Sequence, residues 1–348
     1  AGGGGVGFHS RGVLGVVWGV RGGGGGGGGP PGGPPPGGAP RRRFAYIARM
    51  PAALTPEILA RIDKLELDAK QVVEGYLAGR HRSPRHGFAV EFAQHREYAP
   101  GDDTRHIDWK VYARTERYQL KQYEQETNLV AWMVVDASES MAVGTVPGRD
   151  GKPRTKYDVA CTLAAALSYL VVQQGDTIGY QLYAERLKSG GRLGGGSGKL
   201  RELIRWLADG PYPGEGNTGR ALEAMGGLFG RRGVVFVFSD LLDDVPDLVD
   251  GLRILRSQRH EVVVVQVLDA AEVDFPFRQP TLFKGLEGLP EISTDPASIR
   301  EQYLSGLRAH LAEVENACRT LQVDYTLVRT DQDLGLAMAE YLQRRQGR

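Results

Sequence analysis

Three runs of this chain are apolar almost without interruption: residues 129–135, 233–239 and 261–268. A strand with one wet face alternates apolar and polar residues, whereas a strand covered on both faces stays apolar throughout. Such runs therefore point to a parallel sheet sandwiched between helices. The intervening segments supply those helices. Residues 158–173 place Val159, Leu163, Leu167, Leu170 and Val171 on one helical stripe, and 200–207, 220–229, 247–257 and 296–322 are read the same way. Residues 177–183 and 325–328 read as further strands, 185–192 as an antiparallel return at an edge, 282–293 as a hairpin insertion and 334–344 as a closing helix. Strands alternating with helices through right-handed crossovers give an α/β fold, a doubly wound and mostly parallel sheet over residues 129–345. Its ligand site is expected beyond the carboxyl ends of the strands.

Upstream the pattern differs. Thr55-Pro56-Glu57 opens a helix that runs toward Gly75 or Gly79, with Thr as N-cap, Pro at the first position and an acid in the first turn. Residues 88–92, 107–112 and 118–123 read as short strands and 98–103 as a turn, so 54–128 forms a small helix-plus-β region. Residues 1–50 hold a long glycine run and a proline cluster, a composition that cannot bury a core, and are expected as a disordered leader. Because Met50 directly precedes the first helical pattern, the leader also reads as upstream sequence from a misassigned start.

Composition narrows the function classes. A net charge of +1 provides no global pull toward nucleic acid or a membrane surface. No apolar run approaches the roughly 18 residues of a membrane span. The two cysteines, Cys161 and Cys318, lie in helical patterns and suggest no disulfide framework, which favours a reducing, cytoplasmic setting.

The chemistry concentrates where the apolar runs end. Asp136, Ser138 and Ser140 form an Asp-x-Ser-x-Ser at the end of the first run; Asp240 ends the second; Thr218 follows Gly216-Asn217 before a helical pattern. Each of these places oxygen donors at the sheet edge, and together they read as one oxygen-only site for a hard divalent cation. Mg²⁺ accepts near-octahedral oxygen ligands, keeps several waters and needs only one or two carboxylates, with Mn²⁺ as the alternative ion. No Cys or His joins the set, which argues against zinc. With so few protein charges the ion would stay electrophilic and keep a position open for a carboxylate from a partner. The plainer reading is that these Asp and Ser residues cap the next helix.

Other motifs fail on spacing or context. Gly194–Lys199 resembles a phosphate loop, but Leu193 stands where its first glycine belongs and Leu200 where Ser or Thr would hold Mg²⁺, so it reads as a flexible turn. The basic stretch Arg80, His81, Arg82, Arg85, His86, His95, Arg96, Arg105 and His106 is interspersed with acids such as Glu91, Glu97 and Asp102, and reads as paired charge rather than a nucleic-acid face. Asp102, Asp103 and Asp108 read as a turn before they read as a nuclease cluster. His260 and His310 lie away from the carboxyl-edge loops, so no general base is apparent.

The sheet region resembles a von Willebrand factor A domain, and Asp136, Ser138, Ser140, Thr218 and Asp240 match its metal-ion-dependent adhesion site. Gly79-Arg80-His81-Arg82-Ser83-Pro84, Arg96-Glu97-Tyr98-Ala99-Pro100-Gly101-Asp102-Asp103, Arg105-His106-Ile107-Asp108-Trp109-Lys110 and Lys121-Gln122-Tyr123-Glu124 resemble the signature of the bacterial domain-of-unknown-function 58 family, in its shorter soluble group. That resemblance implies Ser138, Ser140 and Thr218 as direct ligands, with Asp136 and Asp240 acting through water and hydrogen bonds. It implies a MoxR-type AAA+ ATPase as partner in chaperone-like complex assembly, and a client's acidic residue on the ion. The expected function is a non-enzymatic binding module; the alternative is a metal-dependent hydrolase or nuclease using the same ion.

Overall fold

The computed structural model describes residues 56–80, 95–97, 109–121, 129–148, 151–279, 281–283 and 292–346. The leader, the strand expected at 88–92, the turn at 98–103 and most of the basic stretch lie outside them. In chain order the elements are α1 (Pro56–Arg80), β1 (His95–Glu97), α2 (Trp109–Thr115), β2 (Gln119–Lys121), β3 (Val130–Asp136), β4 (Val146–Pro147), β5 (Pro153–Arg154), α3 (Lys156–Gln173), β6 (Thr177–Tyr183), β7 (Leu187–Gly194), α4 (Gly196–Leu207) and α5 (Thr218–Met225). They continue as β8 (Val234–Ser239), α6 (Val245–Ser257), β9 (Glu261–Leu268), α7 (Ala270–Asp274), β10 (Thr281–Phe283), β11 (Ile292–Thr294), α8 (Pro296–Thr320), β12 (Asp324–Arg329) and α9 (Leu334–Gln346).

Six strands form the central sheet in the order β12-β9-β8-β3-β6-β7. All neighbours run parallel except β7, which returns antiparallel to β6 at the edge. The apolar runs do what their composition requires. Along β3, Ala131, Met133 and Val135 face one helical layer while Val130, Trp132 and Val134 face the other. The strand is buried over its whole length, so neither set of side chains reaches water. The first layer contains α1, α3, α4 and α9; the second contains α5, α6 and α8. Helices α5 and α6 cross so closely that a Cβ on Gly219 would stand 2.1 Å from the Asp247 carbonyl oxygen, which only glycine avoids.

Two expectations are corrected. Residues 109–112 are not strand but the start of α2. The alternation of Ile107, Trp109 and Val111 imitates a half-buried strand, yet Trp109 is 60% exposed, so no buried face exists for it to line. Tyr112 instead stacks on Tyr118 at 4.4 Å across a turn at Glu116, whose φ is +54°. The glycine-rich stretch is not a flexible turn throughout: Gly195 caps α4, and Gly196, Ser197, Gly198 and Lys199 are its first residues. Finally, α1 packs on the sheet. Its Leu65, Ala69, Val72 and Val73 belong to the same core as β3 and α3.

Chain direction places the site. From β3 the chain crosses to β6 on one side, and from β8 it moves on to β9 on the other. The connections part between β3 and β8, which opens a crevice at their carboxyl ends.

A hydroxyl and carboxylate site at the sheet edge

Asp136 is the last residue of β3 and is 2% exposed. One carboxylate oxygen accepts the Ser138 N–H at 2.9 Å and the other accepts the Ser239 hydroxyl at 2.8 Å. The first contact folds the chain into a tight turn directly after the strand. Ser138 then opens a 3₁₀ turn, Glu139–Ala142, but its side chain makes no capping bond. Its Oγ lies instead 3.1 Å from Ser140 Oγ. Helix capping therefore does not account for the two serine hydroxyls.

Thr218 reaches the edge by another route. It follows a helix-to-helix connection, not a strand, and is the first residue of α5. Asn217 is the cap, accepting the Arg220 N–H at 2.9 Å. Thr218 Oγ1 is thereby left to accept the Tyr183 hydroxyl at 2.9 Å and to meet Ser239 Oγ at 3.1 Å. The loop before it reaches the serines at Gly216, where a Cβ would stand 2.9 Å from Ser138 Oγ and 3.3 Å from an Asp136 oxygen. Asp240 follows β8 directly, 3% exposed, and its main-chain oxygen accepts Gln266 Nε2 at 2.7 Å. The structure thus brings Asp136, Ser138, Ser140 and Thr218 into one hydrogen-bonded neighbourhood, with Ser239 as the link and Asp240 next to it in the chain.

Charge in this neighbourhood is unbalanced. Burial, followed by the nearby Asp240 charge, lifts the Asp136 carboxyl to about 6, against the lowering effect of bonds from Ser138 and Ser239. Asp243 accepts the Thr218 N–H at 2.7 Å and rises to about 8, through burial first and then the Asp136 charge. Tyr183 is pushed up by burial and by the same Asp136 charge, so it remains a donor. Among the described residues no group of three or more His, Cys, Asp or Glu is arranged to hold a metal ion. A cation here would have to be held by hydroxyls, with carboxylates behind them. Ser138, Ser140 and Thr218, with Asp136 and Asp240, offer the oxygen donors that a hard cation prefers.

Sequence reasoning missed several neighbours. Lys156 is 0% exposed, and its Nζ donates to Asp240 at 2.8 Å and to Glu272 at 2.7 Å. Burial lowers its pKa, but the two carboxylates outweigh that and hold it above its ordinary value. No motif marks this lysine; it resembles an ordinary first-turn residue of α3. His310, set aside as remote from the edge, donates from Nε2 to the Leu241 carbonyl at 2.6 Å, one residue beyond Asp240. A second polar cluster lies beside the first. Asp269, at the end of β9, accepts from the Thr145 and Ala271 N–H groups at 3.0 Å each, from Thr330 Oγ1 at 2.8 Å and from Thr145 Oγ1.

The observed sheet is the doubly wound, mostly parallel α/β fold expected of a von Willebrand factor A-like domain. Residues 94–313 match the family described as protein of unknown function DUF58. The uncharacterized protein Rv1480 of Mycobacterium tuberculosis (strain ATCC 25618 / H37Rv) is 31% identical over 287 residues, covering 80% of this chain and 86% of that protein. The uncharacterized protein Mb1516 of Mycobacterium bovis matches over the same shares. The chain belongs to the DUF58 family. Among solved structures it is similar to the conserved hypothetical protein BatB from Bacteroides thetaiotaomicron, with 12% identity, a TM-score of 0.42, and 63% of this chain and 100% of that one covered. The SpRpn10 VWA domain matches at 13% identity and a TM-score of 0.37, over 63% of this chain and 95% of that one. No helix among the described residues is long and apolar enough to cross a membrane.

Proposed function

We propose that the protein is a non-enzymatic binding module that holds a partner's Asp or Glu through Mg²⁺, or Mn²⁺, at the Asp136, Ser138, Ser140, Thr218 and Asp240 edge. The observation that carries this reading is the state of the hydroxyls: Ser138 and Thr218 start helical turns without capping them, and both are fully buried beside Asp136 and Asp243, whose carboxyls burial and mutual charge push up. The ion would supply a Lewis-acid position to which a carboxylate can bind. The chain's own residues do the rest. Asp136 fixes the turn that carries the serines, Tyr183 donates to Thr218 and sets its rotamer, and Asn217 relieves Thr218 of capping. Ser138, Ser140 and Thr218 would contact the ion; Asp136 and Asp240 would act through water. The amine nearest the site, Lys156, is committed to two carboxylates, which favours binding over base chemistry.

The proposed partner is a MoxR-type AAA+ ATPase, with the client's acidic side chain on the ion, in cytoplasmic assembly of a complex. The test is co-purification of the full chain with such an ATPase in Mg²⁺ and in EDTA. Binding should vanish in EDTA and in the S138A/S140A variant while the fold persists. Equal capture in EDTA sinks the proposal, and phosphodiester hydrolysis that disappears in D136A would replace it with a metal-dependent hydrolase.

A further inference from the structure

Lys156 is the least expected group near this edge. It is fully buried, and burying an ammonium costs more than filling the same space with an apolar side chain. It is the first residue of α3, the end of a helix where the dipole disfavours a cation. Its backbone is pinned, because Thr155 and Asp158 form a capping box around it and its own N–H donates to Val143 O at 2.8 Å. Its Nζ is held from behind. Glu272 takes the ammonium on one oxygen and the Asp269 N–H on the other at 2.7 Å, within the capping box of α7. Glu272 is therefore anchored and cannot follow a moving lysine. The ammonium has a fixed position, and from it takes one oxygen of Asp240.

We infer that Lys156 is a positioning residue that holds the Asp240 carboxylate back from the ion and leaves the coordination to hydroxyls. The inference rests on the proposed cation site. Its consequence is a trade. While Asp240 is drawn toward Lys156, the ion is bound less tightly by the protein but keeps an open, more electrophilic position for an outside carboxylate. Releasing Asp240 should tighten the ion and close that position.

Two variants give opposite signs. E272Q removes the rear anchor's charge and keeps an acceptor for the Asp269 N–H, so the ammonium is left to Asp240 alone. K156M/E272Q removes the ammonium and its anchoring charge together, so the net charge of the buried group is unchanged and Asp240 is freed. Titration of the full chain with Mg²⁺ and with Mn²⁺ by calorimetry should place affinity in the order E272Q, wild type, K156M/E272Q. The double variant should be tighter than wild type by about tenfold, as expected for relieving one close charge pair. Water-proton relaxation of the Mn²⁺ form should fall in the double variant, because Asp240 displaces a water. Unchanged affinity, or a shift of both variants in the same direction, overturns the inference, and melting without metal shows which variants are folded. The S138A/S140A chain separates the two ideas. If wild type takes up no more ion than S138A/S140A, the proposed site itself fails. If only the predicted order fails, the site stands and Lys156 is structural.

Discussion

Two polar clusters lie side by side at the carboxyl edge of one sheet, and they are built on opposite plans. Around Asp269 one carboxylate receives four donors, from Thr145 twice, Ala271 and Thr330. Every polar group there is answered within the protein, and Asp269 is fully buried. Around Asp136 the proportions reverse. Asp136, Asp240 and Asp243 crowd together, and the hydroxyls of Ser138, Ser140, Thr218 and Ser239 largely bond one another. A satisfied cluster ties the ends of β9 and β12 to the loop before β4. The other gathers like charge, which a bound cation would relieve. The two clusters share one edge of the sheet and differ in their ratio of donors to charges.

The largest expected effect breaks the closed cluster. Asp269→Ala leaves buried hydroxyls and N–H groups without an acceptor and should cost about 2–4 kcal/mol, equally with and without Mg²⁺. Chemical denaturation under both conditions measures it. A cost that Mg²⁺ restores would mean that Asp269 belongs to the ion site. Thr330→Val removes a single donor from the same carboxylate and keeps the shape, so a loss of about 1 kcal/mol is expected, again independent of metal.

On the open side the sign turns. Asp136→Asn removes a charge from a crowd of carboxylates and keeps an acceptor, so in EDTA the variant should be as stable as wild type or more so by about 1 kcal/mol. Adding Mg²⁺ should raise the melting temperature of wild type, by mass action on the native state, and leave the variant unmoved. If Asp136→Asn melts well below wild type in EDTA, the two clusters are alike and the contrast collapses.

Much of this was legible in the residues. The unbroken apolar runs announced a doubly covered parallel sheet, because only that environment removes the need for alternation, and β3, β8 and β9 formed as read. Asp136, Ser138, Ser140, Thr218 and Asp240 could be grouped because three segments were each expected at one sheet edge. What stayed hidden was whatever depends on approach between distant segments. Ser239 looked like the last residue of a strand, yet its hydroxyl joins Asp136 to Thr218. Lys156 lies 84 residues from Asp240 in sequence, and nothing local marks it as buried. Over residues 109–112 the expected strand gives way to helix for the converse reason: alternation is informative only if one face is covered, and Trp109 is not.

The smallest effect is the sharpest test of the contrast. Tyr183 ends β6 and is fully buried, with its hydroxyl donated to Thr218 Oγ1. In a closed cluster, deleting such a donor costs stability and nothing else. In an open one it should do the opposite: Thr218 keeps Ser239 as a partner, so the fold loses little, but its oxygen is no longer held in one rotamer. Tyr183→Phe should therefore change stability by about 1 kcal/mol or less and weaken Mg²⁺ uptake by roughly threefold, the expected scale for losing one neutral hydrogen bond that pre-organises a ligand. Calorimetric titration beside a denaturation curve reads both quantities from one protein. A variant that is clearly destabilised yet binds Mg²⁺ like wild type would place Tyr183 and Thr218 with the closed cluster, and would leave the serines of the 3₁₀ turn as the site's only hydroxyl ligands.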